Sequence, residues 1–399
     1  MASVVPPPTP VRVLLAHRGY WHWSASAFVT RLPPLMVPLA FVLVGTYASG
    51  SQAVGSLMVT VYILSEVCCA PLAGRLLDRV GPAVGLPRVL GLAAVVWCGL
   101  ALAAALRAPA PVLFLLVALA AALGAGAPGA MRALLSQTVP PQLVAPAVAL
   151  DAIAVEVVVV TAPLLVALTA APSPPGAIIA MAAAIAIAAA LVRGQRRPVA
   201  TTPAIVDASA AIGPQALWRN RRFAFWIAVG VTLGYSIGTA EIGALPRAIR
   251  LGGGSREAAE LIAVLGISSA LSGLVYASVA HRFALGAVGR ASILLAGLVV
   301  GSVELGLSAH WVTAVGAMVT LGLCCSPLGT VQSQAAEADA PSERQAEAFG
   351  ILYAASGVGY ALGGLFLALL PVREMLLFGA ASALLALMLV PTLGHHSAS

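Results

Sequence analysis

Residues 74–81 read GRLLDRVG and separate two long apolar stretches of the chain. Glycine at Gly74 permits the close approach of a neighbouring helix, and glycine at Gly81 permits a tight turn. Asp78 supplies a carboxylate, which is favourable beside the amino end of a helix. The segment therefore predicts a short polar connection between two helices.

Outward from this segment, apolar runs separated by Arg, Pro or Gly predict two sets of six membrane helices. The first set lies near 24–48, 52–73, 86–106, 111–136, 146–170 and 176–192. The second set begins near 223, 257, 287, 311, 347 and 375. We expect an all-α polytopic membrane protein with an N-terminal six-helix bundle (1–192), an Arg-rich cytoplasmic linker (193–222) and a C-terminal six-helix bundle (223–399).

The composition excludes a soluble enzyme. The 399 residues are 60% hydrophobic and 9% charged, with a mean hydropathy of +1.00, whereas soluble domains carry about a quarter charged residues. At roughly 20 apolar residues per crossing, a dozen spans fit with short loops. The net charge of +7 does not indicate a nucleic-acid partner, because the chain has no soluble module to present a basic face.

The distribution of Arg predicts the orientation, because short cytoplasmic loops carry an excess of positive charge. With both termini inside, five Arg fall outside: Arg107, Arg247, Arg250, Arg256 and Arg373. Fourteen fall inside: Arg12, Arg18, Arg75, Arg79, Arg88, Arg193, Arg196, Arg197, Arg219, Arg221, Arg222, Arg282, Arg290 and Arg344. We therefore expect a multi-pass protein of the bacterial cytoplasmic membrane with both termini cytoplasmic.

Residues 74–81 resemble the signature of the major facilitator superfamily, which reads Gly, x, Leu, x, Asp, Arg, x, Gly in this loop. Five positions match: Gly74, Leu76, Asp78, Arg79 and Gly81. In that family the Asp docks against the start of the eleventh helix and stabilises the outward-open state, so the resemblance implies this switch role for Asp78. Pro82 departs from the pattern, since basic residues usually follow the second Gly.

Two further features resemble the same superfamily. Residues 281–284, 203 positions after Asp78–Gly81, form a degenerate echo of the motif in the second half. The start of the eleventh helix at 347–350 and its glycines resemble the efflux branch: Gly357, Gly359, Gly363 and Gly364. The resemblance implies two halves built from inverted repeats, with a substrate site near the midplane.

Ionisable residues within spans are costly and predict function. Glu156 lies about ten residues into the fifth span, hence roughly 15 Å deep at 1.5 Å per residue, near the middle of the bilayer. Pro163 lies on nearly the same helical stripe. Asp151 points about 140° away, and we expect it near the inner surface. Proton exchange or substrate contact is the favoured interpretation of Glu156; a structural ion pair is the alternative.

Two more acids are candidates. Glu66 lies in the inner half of the second span, and Glu241 continues a helical stripe formed by Gly230, Gly234 and Gly238 on the seventh. Such stripes indicate close helix packing, so Glu241 should face protein or a cavity. For both acids, proton coupling and a structural role remain equally open.

Arg31 and Arg132 are the candidate cations within spans. Arg31 precedes Pro33, Pro34 and Pro38, so the first helix should be kinked and locally broken near a charge. Snorkelling to the inner interface is the favoured interpretation of Arg31. Arg132 could pair with Asp78, Asp151 or Glu156, or could snorkel. Drug-proton antiporters of the family typically carry another Arg in the outer half of the fourth helix, yet 113–123 contains none.

No motif supports a cofactor, a metal site or an enzyme. Residues 124–129 match GxGxxG, but they lie inside a membrane span without a preceding strand, so we expect them to serve helix packing. The six His show no ligand spacing, and no nucleophile elbow is present.

The sequence therefore predicts a monomeric transporter embedded in the lipid bilayer. It exports a small organic solute by alternating access, and proton antiport drives the export. The alternatives left open are a sugar or metabolite symporter working in uptake, a non-transporting membrane sensor, and a membrane-embedded transferase. A transferase should show a His/Asp or Cys constellation at one surface, and none is visible in the sequence.

Overall fold

The structure, a computed structural model, describes residues 10–194, 221–279, 285–339 and 345–390, and within these ranges it contains no strand. The helices of the first half are α1 (Pro10–Leu15), α2 (Arg18–Ser49), α3 (Gln52–Val80), α4 (Pro82–Ala105), α5 (Ala110–Gly124), α6 (Ala127–Thr138), α7 (Pro141–Ala170) and α8 (Pro175–Gly194). Those of the second half are α9 (Arg221–Arg250), α10 (Ser255–Val279), α11 (Ala287–Leu307), α12 (Trp311–Asp339), α13 (Gln345–Leu369) and α14 (Val372–Met388). The predicted all-α class is confirmed.

Each predicted span coincides with one helix, except the fourth, which is formed by α5 and α6 together. Among the described residues, eleven spans are long and apolar enough to cross a membrane. The sixth, predicted near 176–192, is the 20-residue α8. The twelfth, α14, has 17 residues and is about 26 Å long at 1.5 Å per residue, slightly shorter than a hydrocarbon core of about 30 Å.

The helices pack as two groups. In the first half α2 contacts α3, α7 and α8, and α4 contacts α5 and α8. In the second half α9 contacts α12, α13 and α14, and α11 contacts α12 and α14. The halves meet mainly where α3 packs on α13 and α7 packs on α10. Most of the predicted linker lies outside the described residues, so the boundaries at 192 and 223 stay a prediction.

A glycine seam holds α9 against α13. A Cβ atom added to Gly234 would collide with the carbonyl oxygen of Ser356, and one added to Gly359 would collide with that of Val231. The two helix backbones therefore touch, which no larger side chain at these positions would allow. The predicted packing stripe is confirmed: Gly230, Gly234 and Gly238 all face α12 or α13.

Trp97 anchors the core of the first half. Its ring, 2% exposed, lies 6.0 Å from the ring of Phe41 and 6.2 Å from that of Tyr62. This cluster joins α2, α3 and α4. Aromatic pairs at such distances add to the free energy of burial, which explains why a Trp lies in mid-span instead of at the interface.

The irregular backbone lies in the fourth span and not in the first. The prolines of α2 were expected to break it locally, but α2 is one continuous helix from Arg18 to Ser49. The chain instead leaves the helix between Gly124 and Ala127. A Cβ atom on Gly126 would lie 2.7 Å from the side chain of Leu77 on α3, so this glycine serves helix packing, as predicted.

Candidate functional site

The GRLLDRVG segment is mostly helix, not loop. α3 continues to Val80, and Gly81 alone makes the turn, with a φ of +85° that favours glycine. The turn at Gly81 is as predicted. The close approach predicted at Gly74 is wrong, because no neighbouring atom among the described residues lies within 4 Å of a Cβ built there. Close contact occurs three residues later, where Leu77 packs against Gly85 and Gly126.

Asp78 and Arg79 are exposed at the end of α3. Asp78 does not cap the next helix, since its carboxylate accepts no hydrogen bond from the first turn of α4, whose N-cap is Gly81. Within the described residues, neither side chain has a hydrogen bond or ion pair. Residues 340–344, just before α13, and the echo at 281–284 lie outside the described residues, so the switch role implied for Asp78 stays a prediction.

Arg31 pairs with Asp151. Its two terminal nitrogens donate to the two carboxylate oxygens of Asp151 at 2.6 and 2.8 Å, and this bidentate geometry joins α2 to α7. The Asp151 side chain is 9% exposed and that of Arg31 is 30% exposed. The structure therefore contradicts the expectation that Arg31 snorkels to the interface. Asp151 is buried between helices, and its position near the inner surface stays a prediction.

Arg132 takes no part in this cluster. It is exposed on α6, and Asp151, one of its three predicted partners, is occupied by Arg31. In the part of the chain that the structure describes, Arg132 makes no ion pair with Asp78 or Glu156 either.

Glu66 lines a small cavity inside the first half, which we name the N-half cavity. Its volume is about 60 Å³. The walls come from α2, α3, α4, α5, α6 and α8 and are Ala27, Thr30, Arg31, Pro33, Pro34, Tyr62, Glu66, Leu90, Ala93, Trp97, Ala120, Gly124, Ala127, Pro128, Met131 and Ile185. The kink-prone prolines of α2, the break between α5 and α6, and two of the predicted charged residues thus meet in one place.

Glu156 is half-buried on α7, on the side that approaches the second half. It lies one turn before Val159 and Val160, the residues nearest Gly266 of α10. Its carboxyl group has no hydrogen bond or ion pair within the described residues. The structure therefore does not place Glu156 in a structural ion pair, and it does not bring it together with Glu66 in the N-half cavity.

Glu241 is bonded across the glycine seam. The Tyr360 hydroxyl on α13 donates a short hydrogen bond to its carboxylate. The acid therefore faces protein, as the stripe predicted, and it has a neutral partner instead of a cation.

Sequence reasoning missed an open cavity between α12 and α13, which we name the C-half cavity. Its volume is about 410 Å³, and its lining is Gly329, Gln332, Ser333, Phe349, Leu352, Tyr353 and Ser356. Ligand pockets of small molecules usually measure about 300–1,000 Å³ and combine apolar walls with a few polar groups. Gln332, Ser333 and Gln334 are three consecutive polar residues in a mainly apolar span, and this run was the signal in the sequence that could have indicated the cavity.

The two cavities are connected by the packing of α3 on α13. Gly357, which follows Ser356 of the C-half cavity, packs against Val67, which follows Glu66 of the N-half cavity. The arrangement places a cavity of ligand size beside a membrane-embedded acid.

The halves touch along what we name the inter-half seam, formed by residues 56–67 of α3 and 357–364 of α13. The hydroxyl of Thr60 donates to the carbonyl oxygen of Ala361 at 2.9 Å. A Cβ atom on Gly364 would lie 2.5 Å from the Thr60 hydroxyl oxygen and 2.7 Å from the Ser56 carbonyl oxygen. Because α3 and α13 run antiparallel, the end of α3 that carries Asp78 lies on the side of the seam towards the start of α13. The part of α13 that lines the C-half cavity precedes the seam, so this cavity lies on the same side of the seam as Asp78.

Within the described residues, no group of three His, Cys, Asp or Glu could hold a metal ion.

The fold is shared with solved transporter structures. The chain superposes on the nucleoside transporter NupG with a TM-score of 0.75 at 13% identity, covering 95% of this chain and 100% of that one. An auto-inhibited peptide transporter of the POT family gives a TM-score of 0.73 at 12% identity, covering 96% and 98%. A bacterial homologue of the human lysosomal transporter Spinster, inward-facing and occupied, gives 0.67 at 15%, covering 96% and 97%.

At these identities the superpositions show the fold alone. A search of curated proteins gave no match. The family model of the Major Facilitator Superfamily matches residues 24–364, which include most of both halves, the inter-half seam and both cavities, and the chain therefore belongs to this superfamily of membrane transporters.

Proposed function

We propose that the protein exports a small organic solute by alternating access and is driven by proton antiport. The observation that carries this proposal is the geometry of the two halves. They are joined along the inter-half seam, while the C-half cavity, of ligand size, opens on the other side of it. A solute that enters from the Asp78 side would be released on the opposite side once the seam opens.

The Arg distribution supports the direction of opening. It predicts that the Asp78 side faces the cytoplasm, so the C-half cavity would be open to cytoplasmic solute in a bacterial inner membrane. The resemblance of the eleventh span to the efflux branch supports export over uptake.

Acids within the spans support proton coupling. A carboxylate in the membrane can be neutralised by protonation and so change partners during each cycle. Glu156 has no hydrogen-bond or ion-pair partner among the described residues, and Glu66 lines a cavity; both can serve, whereas Glu241 is already bonded to Tyr360.

The test is flux in proteoliposomes containing purified protein, with an imposed pH gradient and a panel of drugs, nucleosides, sugars and amino acids selected by thermal shift. Solute movement opposite to the proton gradient supports export by antiport. Solute movement along the proton gradient would establish uptake by symport instead. Binding without flux of any stabilising solute would favour a non-transporting sensor.

A further inference from the structure

The described lining of the C-half cavity carries no charged side chain. α12 contributes Gly329, Gln332 and Ser333, and α13 contributes Phe349, Leu352, Tyr353 and Ser356. Within each helix these residues are three or four positions apart and therefore share one face. Because none of them is an acid, a guanidinium or an imidazole, a charged solute enclosed between these faces would lose its water without gaining a counter-ion, which is costly.

Charges described within the spans have other surroundings. Glu66 and Arg31 line the N-half cavity, and Arg31 is paired with Asp151 of α7. Glu241 is hydrogen-bonded to α13 within the second half, and it does not line the C-half cavity. Glu66 is the charge whose influence needs a control, because α3 packs against α13.

Four polar groups of the lining have unused hydrogen-bonding capacity. Gln332 is 5% exposed, and its Nε2 donates to the Trp226 carbonyl at 2.9 Å. This bond fixes the amide and leaves Oε1 as an acceptor that receives no hydrogen bond within the described residues. The hydroxyl groups of Ser333, Tyr353 and Ser356 have no hydrogen-bond partner there either, whereas other helical serines donate to the carbonyl of the preceding turn. Such a lining favours a solute that brings an N–H or O–H donor, because unpaired polar groups are costly once water is excluded.

Two aromatic rings form much of the apolar part of the lining. Phe349 and Tyr353 are 41% and 60% exposed and lie one turn apart on α13. Among the described residues, neither ring pairs with another aromatic ring. Their open faces can stack on a planar ring of a solute, and such stacking stabilises beyond the burial of apolar area. The volume of about 410 Å³ is sufficient for a bicyclic molecule.

We infer that the C-half cavity selects uncharged solutes that combine a planar aromatic ring with a hydrogen-bond donor such as the N–H of a primary amide. The ring lies against Phe349 and Tyr353, and the N–H donates to Oε1 of Gln332. The uncharged lining excludes cations and anions of the same shape. This inference rests on the proposed function and names the class of solute that the cavity accepts.

Probes of nearly the same shape isolate the effect of charge: 2-naphthamide is neutral, 2-naphthamidine is a cation and 2-naphthoate is an anion. Isothermal titration calorimetry of the purified full-length protein in detergent at neutral pH measures their binding without any transport. The neutral amide should bind about tenfold more tightly than either ion. N,N-dimethyl-2-naphthamide, which keeps the ring and the carbonyl but has no N–H, should bind about tenfold more weakly than the primary amide.

Variants locate the binding. Ser333→Asp should tighten binding of the amidine about tenfold, because it adds a carboxylate to the lining. Ser136→Asp, on α6 and outside the lining of both cavities, is the matched control and should leave the affinities as in the parent. Gln332→Leu should weaken binding of the amide about tenfold. Since Gln332→Leu also loses the bond to Trp226, Ser356→Ala is the second variant; it removes only an unpartnered hydroxyl and should weaken the amide about threefold.

Tighter binding of the amidine or the naphthoate than of the amide would overturn the inference, and loss of that amidine binding in Glu66→Gln would identify Glu66 as the counter-ion. No saturable binding of 2-naphthamide, or equal binding of its dimethyl derivative, would overturn it as well. Transport of a charged solute by a protein that does not bind the neutral amide would sink the inference alone. Binding in the expected order by a protein that moves no solute in proteoliposomes would instead count against the proposed function.

Discussion

At the scale of single residues, the Arg31–Asp151 pair shows how a charge is kept in the membrane interior. Both terminal nitrogens of Arg31 are used, so the guanidinium and the carboxylate satisfy each other where water is scarce. Replacing one partner is costly for such a pair, because the other charge is left without compensation. The adjacent Glu66 has no such partner among the described residues.

Asp151→Asn should destabilise the protein by about 2 kcal/mol, less than the roughly 3–5 kcal/mol for a fully buried pair because Arg31 retains some exposure. Thermal unfolding in detergent measures the effect. Arg31→Gln combined with Asp151→Asn should recover most of the loss. Glu260→Gln, which removes the exposed partner of Arg256, should change little. Equal stability of the single and double variants would contradict an enclosed ion pair.

Glu156→Gln should abolish proton-driven flux while the protein remains folded and inserted, because an amide keeps the shape of the side chain and cannot carry a proton. Flux into proteoliposomes at several pH values measures it, with Glu304→Gln as the matched control. Unchanged flux across that range would remove Glu156 from the mechanism and leave Glu66 as the remaining unpaired candidate.

At the scale of helices, the seam between α9 and α13 depends on the absence of side chains. Gly234 and Gly359 let the two backbones touch, and this close fit then brings Glu241 and Tyr360 together. The same logic explains why α13 carries glycine on two faces: Gly359 meets α9, whereas Gly357 meets α3.

Gly234→Ala should cost about 2 kcal/mol, because the added methyl group forces α9 and α13 apart. Gly316→Ala is the matched control, since its Cβ would meet no described atom within 4 Å. That change should be neutral or favourable by up to about 1 kcal/mol, as alanine is the better helix former. Equal unfolding temperatures for the two variants would argue against tight packing at Gly234.

The spans were predictable from the sequence because an apolar run long enough to cross the membrane as a helix seldom forms any other structure. The stripe of Gly230, Gly234 and Gly238 was predictable for a similar reason, since i, i+4 spacing places residues on one face. The partner of Arg31 was not predictable, because Asp151 lies 120 residues away and the rotation of each helix is set by packing. The same limitation explains the error at Gly74 and the missed C-half cavity.

At the scale of the whole molecule, the contact between α3 and α13 lies towards one end of these helices. The inter-half seam joins α3 to α13 away from Asp78, and the C-half cavity lies on the other side. Asp78 is exposed in this arrangement. In the role that the family signature implies, Asp78 docks only when the seam has opened.

Asp78→Asn should therefore shift the population towards the arrangement described here, because it weakens a contact made only in the opposite state. Cysteines introduced at Gln52 and Leu367, which line one pocket at the end of the seam, report this when the native cysteines are replaced. A maleimide crosslinker should join them faster in the Asp78→Asn background than in the parent or in Glu260→Gln. Identical crosslinking rates would count against the switch role of Asp78.

The composition of the inter-half seam has a consequence for the energetics of the cycle. Gly364, Ala361, Ser56 and Thr60 have few or no rotatable side-chain bonds, so bringing them together costs little rotamer entropy. Long side chains would have to be ordered at each closure and released at each opening. A seam built from short residues therefore adds little entropic cost to closure, and less differential binding energy from the cargo or an ion is needed to shift the population between the two states.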